Sequence, residues 1–549
     1  MSRKSLAILI ASSGLLVVSA AHAQSDDKLL AEAAEQGPSK LTPPIAPPTV
    51  AESAEQRSQA LTPPIAPPTQ PTISPTPVNP WFVRSPFVLT AGAGSDWKLT
   101  IYGFAEADFM LDSTRSFNDS LNNGVVAHTQ TQAGDKRRVQ ATIRNSRLGF
   151  KVETPALQGI RSSVVLEFDL FGNQPSINSG GGSPGQPSGP GATTEAAYFN
   201  NAALRVRHGY FKIEDDFVDV LVGQTYYLLG WQNYFFGASC GFAGLPNELF
   251  NRTVQLRLSH TFASNPMNFE IAAGAFRPVQ RDSVLPDGQG GLRLAINHWK
   301  GITTPGSGGT GALAASLGVS GLVRSFMVDP HAPLPAPQIP LIGWALAVDA
   351  LIPIIPAKDS TDRGNALTLT GEFVTGTGDA DQYTGMTAGA NMPNVYPLPD
   401  LTPVSSSGAA TPQPATGAAP LVGAPYTPNV DPGLVAFDWN DRVHAISWQT
   451  FIVGIQYYLP PRGRAFISGN YSQGKSNNIA NYYHPGSRTQ PWVNSMAVFQ
   501  SSRYVDGNIF FDITRAIRTG FSYQRVDQNL ADGTSAHNNR FELTFLHFL

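Results

Sequence analysis

Two arginines stand two positions apart in "NAALRVRHGYFKI": Arg205 and Arg207. Side chains alternate between the faces of an extended strand, so both project from the same face. Guanidinium groups bind carboxylates through paired hydrogen bonds, and a cluster of them recognises an oxyanion by geometry as well as charge. Arg147 in "NSRLGF", Arg257 in "NRTVQLRLSHTF" and Arg293 stand in similar stretches. So do carboxylates: Glu106 and Asp108 in "YGFAEADFMLD", Glu167 and Asp169 in "VVLEFDLFG", then Glu270 and Glu372. Basic and acidic walls facing each other set a transverse field, which is the chemistry of a selective pore.

Covalent chemistry is less well supplied. No H-E-x-x-H occurs. A lipase-type site needs a serine, a histidine and an orienting polar group close in space. His208 and His260 alternate onto the apolar faces, as at a membrane rim, so no enzymatic activity is expected. Cys240 is the only cysteine, which leaves no disulfide framework and no multi-cysteine metal site. No cofactor is expected. Charged residues make up 14% of the chain, below the roughly 25% of average soluble domains. A net charge of -3 argues against a nucleic-acid partner, whose binding face would be strongly basic.

The elements that carry these residues read as strands. In "WKLTIYGFAEADFML", Leu99, Ile101, Ala105, Ala107, Phe109 and Leu111 alternate with Thr100, Tyr102, Glu106 and Asp108. In "IRSSVVLEFDLFG", Val164, Leu166, Phe168 and Leu170 alternate with Ser163, Glu167 and Asp169. Leu204, Val206 and Tyr210 are placed opposite Arg205 and Arg207, and Val254, Leu256 and Leu258 opposite Gln255 and Arg257. Sixteen strands are expected: 98–111, 138–153, 160–171, 201–213, 217–226, 252–262, 267–276, 291–299, 311–324, 341–352, 364–375, 443–459, 464–474, 498–514, 517–528 and 537–549. Long links at 113–136, 172–200, 227–251, 376–442 and 475–497 alternate with tight ones such as "EDD", "ASNP" and "PPRG". Long loops on one side and short turns on the other are the pattern of an outer-membrane barrel. The fold class is therefore all-β, a transmembrane antiparallel β-barrel of about 16 strands with a proline-rich N-terminal extension.

Residues 1–23 read as a signal peptide: Arg3 and Lys4, an apolar core too short to span, then "AHA". The most apolar later stretch, 341–356, contains Asp349 and Pro353 and is too short for a spanning helix. Residues 24–95 carry a tandem repeat, "AEAAEQGPSKLTPPIAPPT" then "AESAEQRSQALTPPIAPPT". Its proline runs favour extended polyproline geometry, and it is read as a periplasmic spacer or a docking segment. Residues 96–549 form the barrel. The terminal "NRFELTFLHFL" alternates Phe541, Leu543, Phe545 and Leu549 with Arg540, Glu542 and Thr544, as a lipid-facing closing strand requires. It resembles the insertion signal read by the barrel-assembly machinery, with His547 at a place normally apolar and Leu549 after Phe548. The loop "LLGWQNYFFGASCGFAGLPNELF" holds Trp231, Tyr234, Phe235, Phe236 and Phe242, with Cys240 as a small filler. An inward-folded constriction explains these aromatics; a subunit contact or a rim cap is the alternative.

Together "YGFAEADFMLD", "NSRLGFKVE", "VVLEFDLFG", "ALRVRHGYFKI" and "VLVGQTYYLLGW" resemble the DcaP-like trimeric outer-membrane porins, over about 98–262. The resemblance implies a sixteen-stranded barrel, a homotrimer and uptake of small anions such as dicarboxylates. It marks Arg147, Arg205, Arg207 and Arg257 as anion contacts. Family members carry an N-terminal coiled coil, whereas here the extension is proline-rich. The expectation is a porin in the outer membrane of a Gram-negative-type bacterium, its extension in the periplasm and its partners lipid, copies of itself and small anionic solutes. A cation- or sugar-preferring channel, or a plugged barrel with an adhesive surface role carried by 376–442, remain the alternatives.

Overall fold

The structure is a computed structural model. It describes residues 87–91, 97–117, 119, 121, 126–127, 133–172, 202–231, 244–279, 283–303, 311–328, 337–358, 362–384, 433–437, 442–482, 499–530 and 533–549. The expected signal peptide and repeat lie outside the described residues.

Alternating sequences pair edge to edge into one closed sheet of 16 antiparallel strands. The strands are β1 (Trp97–Asp112), β2 (Arg138–Thr142 and Arg147–Glu153), β3 (Arg161–Gly172), β4 (Ala203–Glu214) and β5 (Asp219–Tyr226). They continue as β6 (Arg252–Ala263), β7 (Met267–Phe276), β8 (Asp287–Thr303), β9 (Gly311–Val328), β10 (Ile339–Ile355) and β11 (Leu367–Thr377). The last are β12 (Ser447–Tyr458), β13 (Ala465–Ser476), β14 (Phe499–Asp512), β15 (Ile517–Leu530) and β16 (Ser535–Phe548). Each pairs with its chain neighbour, and β16 returns to β1 from Phe104↔Phe548 to Asp112↔Arg540. Closure satisfies the backbone hydrogen bonds within the sheet, which a bilayer demands of any spanning segment. The stretch around Pro353 is a strand, and no described helix is long and apolar enough to cross a membrane.

Below the end of β16, the wall is continued by a short strand, Phe87–Ala91. It pairs with the first residues of β1, Phe87↔Ile101 to Ala91↔Trp97. Leu549 N–H donates to the Gly103 carbonyl oxygen (3.0 Å) where the two partners meet.

The outer face is apolar. Phe109, Leu294, Val453, Phe521, Phe541, Leu543 and Phe545 are exposed there, as a lipid-facing belt requires. The lumen is filled unevenly. Phe117, Leu121 and Val126 of the loop after β1 pack with Leu245 against Ile452, Tyr504, Val526 and Ala536. Leu229 and Leu249 of the loop after β5 pack with Tyr383 and Leu434–Ala436 of the loop after β11 against Phe326, Ala347, Val374 and Trp448. Near the short turns, Phe466, Phe510, Leu546 and Phe548 form a third cluster. Inward side chains of β9–β16 are consequently dry: Ser472 and Gln524 are 0% exposed and Thr450 1%. On β3–β8 some inward side chains are wetter, Arg205 at 33% and Arg293 at 23%, beside buried ones such as Arg207, Gln255 and Asp287.

Candidate functional site

Two irregularities re-aim the arginine-bearing wall. Between Asp108↔Thr142 and Phe104↔Arg147, β2 carries one residue more than β1. Arg144 and Asn145 both turn inward and are buried, and Arg147 follows two residues on. In β4 the pairing steps from Glu167↔His208 to Phe168↔Val206, leaving Arg207 as the extra residue of a bulge. Bulges occur where a strand must redirect a side chain. This one overturns the expected lipid-side placement of His208 and Tyr210. Beyond the bulge the parity flips, so His208, Tyr210 and Lys212 face the lumen and Phe211 is exposed to lipid. His260 keeps its outward side, paired across from the exposed Ile271.

Arg205 and Arg207 face the lumen with carboxylates already in hand. Arg205 grips Asp169 with Nε and Nη2 (2.9 and 2.5 Å). Arg207 donates Nε to Glu167 (2.6 Å), Nη1 to Asp169 (3.1 Å) and Nη2 to the Tyr226 hydroxyl (2.9 Å). Tyr102 closes the net by donating its hydroxyl to Glu167 (3.0 Å). Its ring lies over Gly149, where a Cβ would come within 2.3 Å of the ring. His208 Nδ1 meets the Thr225 hydroxyl at 3.0 Å. Arg293 is likewise neutralised by Glu270 (2.5 Å) and stacks on Trp231 (5.2 Å).

Three other arginines have no carboxylate within ion-pair distance among the described residues. Arg147 donates only to Asn145 Oδ1 (3.3 Å) and lies on the Phe104 ring. Arg257 donates to Gln255 Oε1 (2.9 Å) and the Tyr226 carbonyl oxygen (2.6 Å), over Phe276. Arg252, at the start of β6, is sandwiched by Tyr226 and Phe250 at 5.4 Å each. Aromatic faces hold these guanidiniums in place without cancelling their charge. Arg147, Arg205, Arg207, Arg252 and Arg257 thus form a group that holds two carboxylates, Glu167 and Asp169.

The acidic residues expected on the pore wall divide. Glu167 and Asp169 sit within the arginine group. Glu106 and Asp108 point inward but are 2% and 1% exposed. Asn145 Nδ2 donates to Glu106 (2.6 Å), and the Thr544 hydroxyl donates to Asp108. They pack against the closing strand rather than the wetter wall.

The loop after β5 crosses the lumen. Leu228 and Leu229 N–H donate to Gln289 Oε1 of β8 (3.0 Å each), Gly230 N–H to Ser320 Oγ of β9, and Trp231 Nε1 to the Val319 carbonyl oxygen. On its return, Asn247 Nδ2 donates to Ser472 Oγ of β13 (3.1 Å), and the Ser472 hydroxyl donates to the Pro246 carbonyl oxygen (2.6 Å). Trp231 therefore lies inside the barrel. Tyr234, Phe235, Phe236, Cys240 and Phe242 lie outside the described residues.

Two short patterns associated with catalysis occur in the chain. "GNYSQGKS" (469–476) has phosphate-loop spacing but lies within β13, paired on both sides, instead of turning into a helix N-terminus. "GASCG" (237–241) has the spacing of a nucleophile elbow and lies outside the described residues.

No protein-family model and no curated protein matches this chain. Among solved structures, the outer membrane channel DcaP of Acinetobacter baumannii superposes with a TM-score of 0.54 at 15% identity, covering 85% of this chain and 100% of that one. An anion-selective porin from Comamonas acidovorans gives 0.40 at 9% identity, covering 82% of this chain and 100% of that one. OmpT of Vibrio cholerae in a trimer form gives 0.42 at 9% identity, covering 82% and 99%. This chain has the fold of the DcaP outer-membrane channel.

Proposed function

We propose that this chain is a passive outer-membrane porin whose solute path runs along the arginine-bearing wall of β2–β6 and favours small anions, dicarboxylates among them. The observation that carries this reading is the charge balance there, with Arg147, Arg252 and Arg257 left without carboxylate partners. A carboxylate passing along the wall meets guanidinium donors that no acid among the described residues occupies. Arg205 and Arg207 serve chiefly to hold Glu167 and Asp169 in a rigid, neutral net that shapes the slot. Aqueous access supports the same side, since the inward side chains of β9–β16 are sealed under loops. Binding is weak enough for release because the slot stays wet and the charges are screened. A homotrimer, implied by the resemblance to DcaP-like porins, is the proposed assembly.

Liposome swelling with solutes of matched size tests the reading. A dicarboxylate should enter faster than a neutral sugar, and the sugar faster than a diamine. The reverse order would assign a cation channel, and no swelling with any of the three would assign a plugged barrel.

A further inference from the structure

On the β10–β11 side, the returning limb of the loop after β5 is fastened to the wall through an acid. Leu249 N–H donates to Glu372 Oε1 of β11 (3.1 Å), and Glu248 Oε2 accepts from Leu245 N–H (2.6 Å). Glu372 is the direct cross-strand partner of Asp349 on β10, and both point into the lumen. Asp349 is 0% exposed, and neither of its carboxyl oxygens has a hydrogen-bond donor among the described residues. Three carboxyl groups therefore converge where water is excluded, and no basic side chain acts on any of them among the described residues. Two neighbouring carboxylates cannot both ionise in such a place; a shared proton turns the repulsion into a hydrogen bond.

We propose that Glu248, Asp349 and Glu372 form a proton-held latch that keeps this loop limb folded against the wall and releases it as pH rises. The idea rests on the porin reading above and concerns its regulation. The neighbouring elements reinforce it. From the loop after β11, Thr384 N–H donates to the Glu248 carbonyl oxygen (2.9 Å), and Asn247 N–H donates back to Thr384 (3.0 Å). Tyr383 in the same segment donates to Asp379 (2.7 Å). Arg324 of β9 is committed to Asp287 (3.2 Å) and Asp381 (2.5 Å). From β12 the residue nearest in register is Ile452; β13 offers Ser472, and β14 offers the Ser502 carbonyl oxygen and Tyr504, whose hydroxyl is committed to Asp506 (2.7 Å).

Burial, then the like charge of Glu372, pushes the Glu248 carboxyl up. Burial pushes Asp379 up to about 8, with Asp381 adding and the Tyr383 hydrogen bond opposing. A carboxyl raised in the closed arrangement stabilises it fully below its ordinary range. That contribution fades as pH climbs and is gone above the raised value. The latch is therefore fully held at low pH and weakens continuously as pH rises toward the raised Glu248 value, so its release lies on the alkaline side of the ordinary carboxyl range.

Planar-bilayer recording of the full barrel from pH 6 to pH 9.5 tests this. Wild-type protein should switch from a lower to a higher conductance on the alkaline side, the ratio of the two states rising by about tenfold per pH unit for each proton released. The isosteric triple variant Glu248→Gln, Asp349→Asn, Glu372→Gln should conduct as wild type at pH 6 and lose the alkaline rise. A second variant guards against misfolding: Asn247→Cys with Ser472→Cys in a Cys240→Ser background. Its oxidised form should stay in the lower state at all pH values, and reduction should restore the rise. A pH-independent wild-type conductance, or an alkaline rise that survives in the triple variant or the oxidised pair, overturns the latch while leaving the porin intact. Absence of conductance at every pH overturns both.

Discussion

Replacing Arg147 by Gln separates an open anion wall from a merely charged one. Among the described residues Arg147 has no ion-pair partner, so its removal leaves the salt bridges around it standing. A permeating ion passing at ~6 Å through water-like solvent feels one unit charge as about 0.7 kcal/mol. At roughly 0.1 M salt the Debye length of ~10 Å trims this to about 0.4 kcal/mol, a factor of about two. The anion loses that factor and the cation gains it, so the anion-to-cation permeability ratio should fall about fourfold. Arg252→Gln should do the same. Glu167→Gln is the counter-test: it frees part of Arg207 and should raise the ratio by a similar factor. Reversal potentials in a KCl gradient read all three. Unchanged selectivity in both arginine variants, or a shift toward anions, would refute the assignment of the path to this wall.

Three further outcomes follow from the packing. Arg207→Ala uncovers Glu167 and Asp169 from a side chain only 1% exposed, so it should destabilise the barrel by about 3–5 kcal/mol, seen as earlier thermal loss of the compact band in gel electrophoresis. Gly149→Val drives a side chain into the Tyr102 ring and breaks its bond to Glu167; a changed conductance with normal folding is expected, and Gly149→Ala should show a smaller effect in the same direction. Phe548→Ala strips a ring that contacts Phe104 (6.1 Å) and lies beneath the Arg518 guanidinium (5.6 Å), so the yield of folded barrel in vesicles should drop, whereas His547→Ala on the lipid side should not lower it.

The strands were legible because lipid and lumen impose a period of two on every one of them. Even β9–β11, with Pro353 inside and longer turns between, kept that period, and the stretch 341–352 lies wholly within β10. The inward side of Arg147, Arg205, Arg207, Arg257 and Arg293 could be read for the same reason. His208 could not, because a bulge inserts one residue without any composition signal, and the parity argument silently fails beyond it. The pairing of Arg205 and Arg207 with Asp169 and Glu167 depends on the register between β3 and β4, which no local pattern encodes. Arg252 escaped notice because it sits at the junction of loop and strand, where alternation has not begun. Only its spacing from Phe250 is visible in the sequence; the approach of Tyr226 depends on the pairing of β5 with β6. The filling of the β9–β16 side was also hidden, since it comes from loops whose apolar residues are scattered singly through polar sequence.

The most direct measurement is the reversal potential of the purified wild-type barrel in a planar bilayer under a KCl gradient. An arginine wall with three uncancelled charges gives a potential displaced toward the chloride equilibrium value. Displacement toward the potassium value would contradict it.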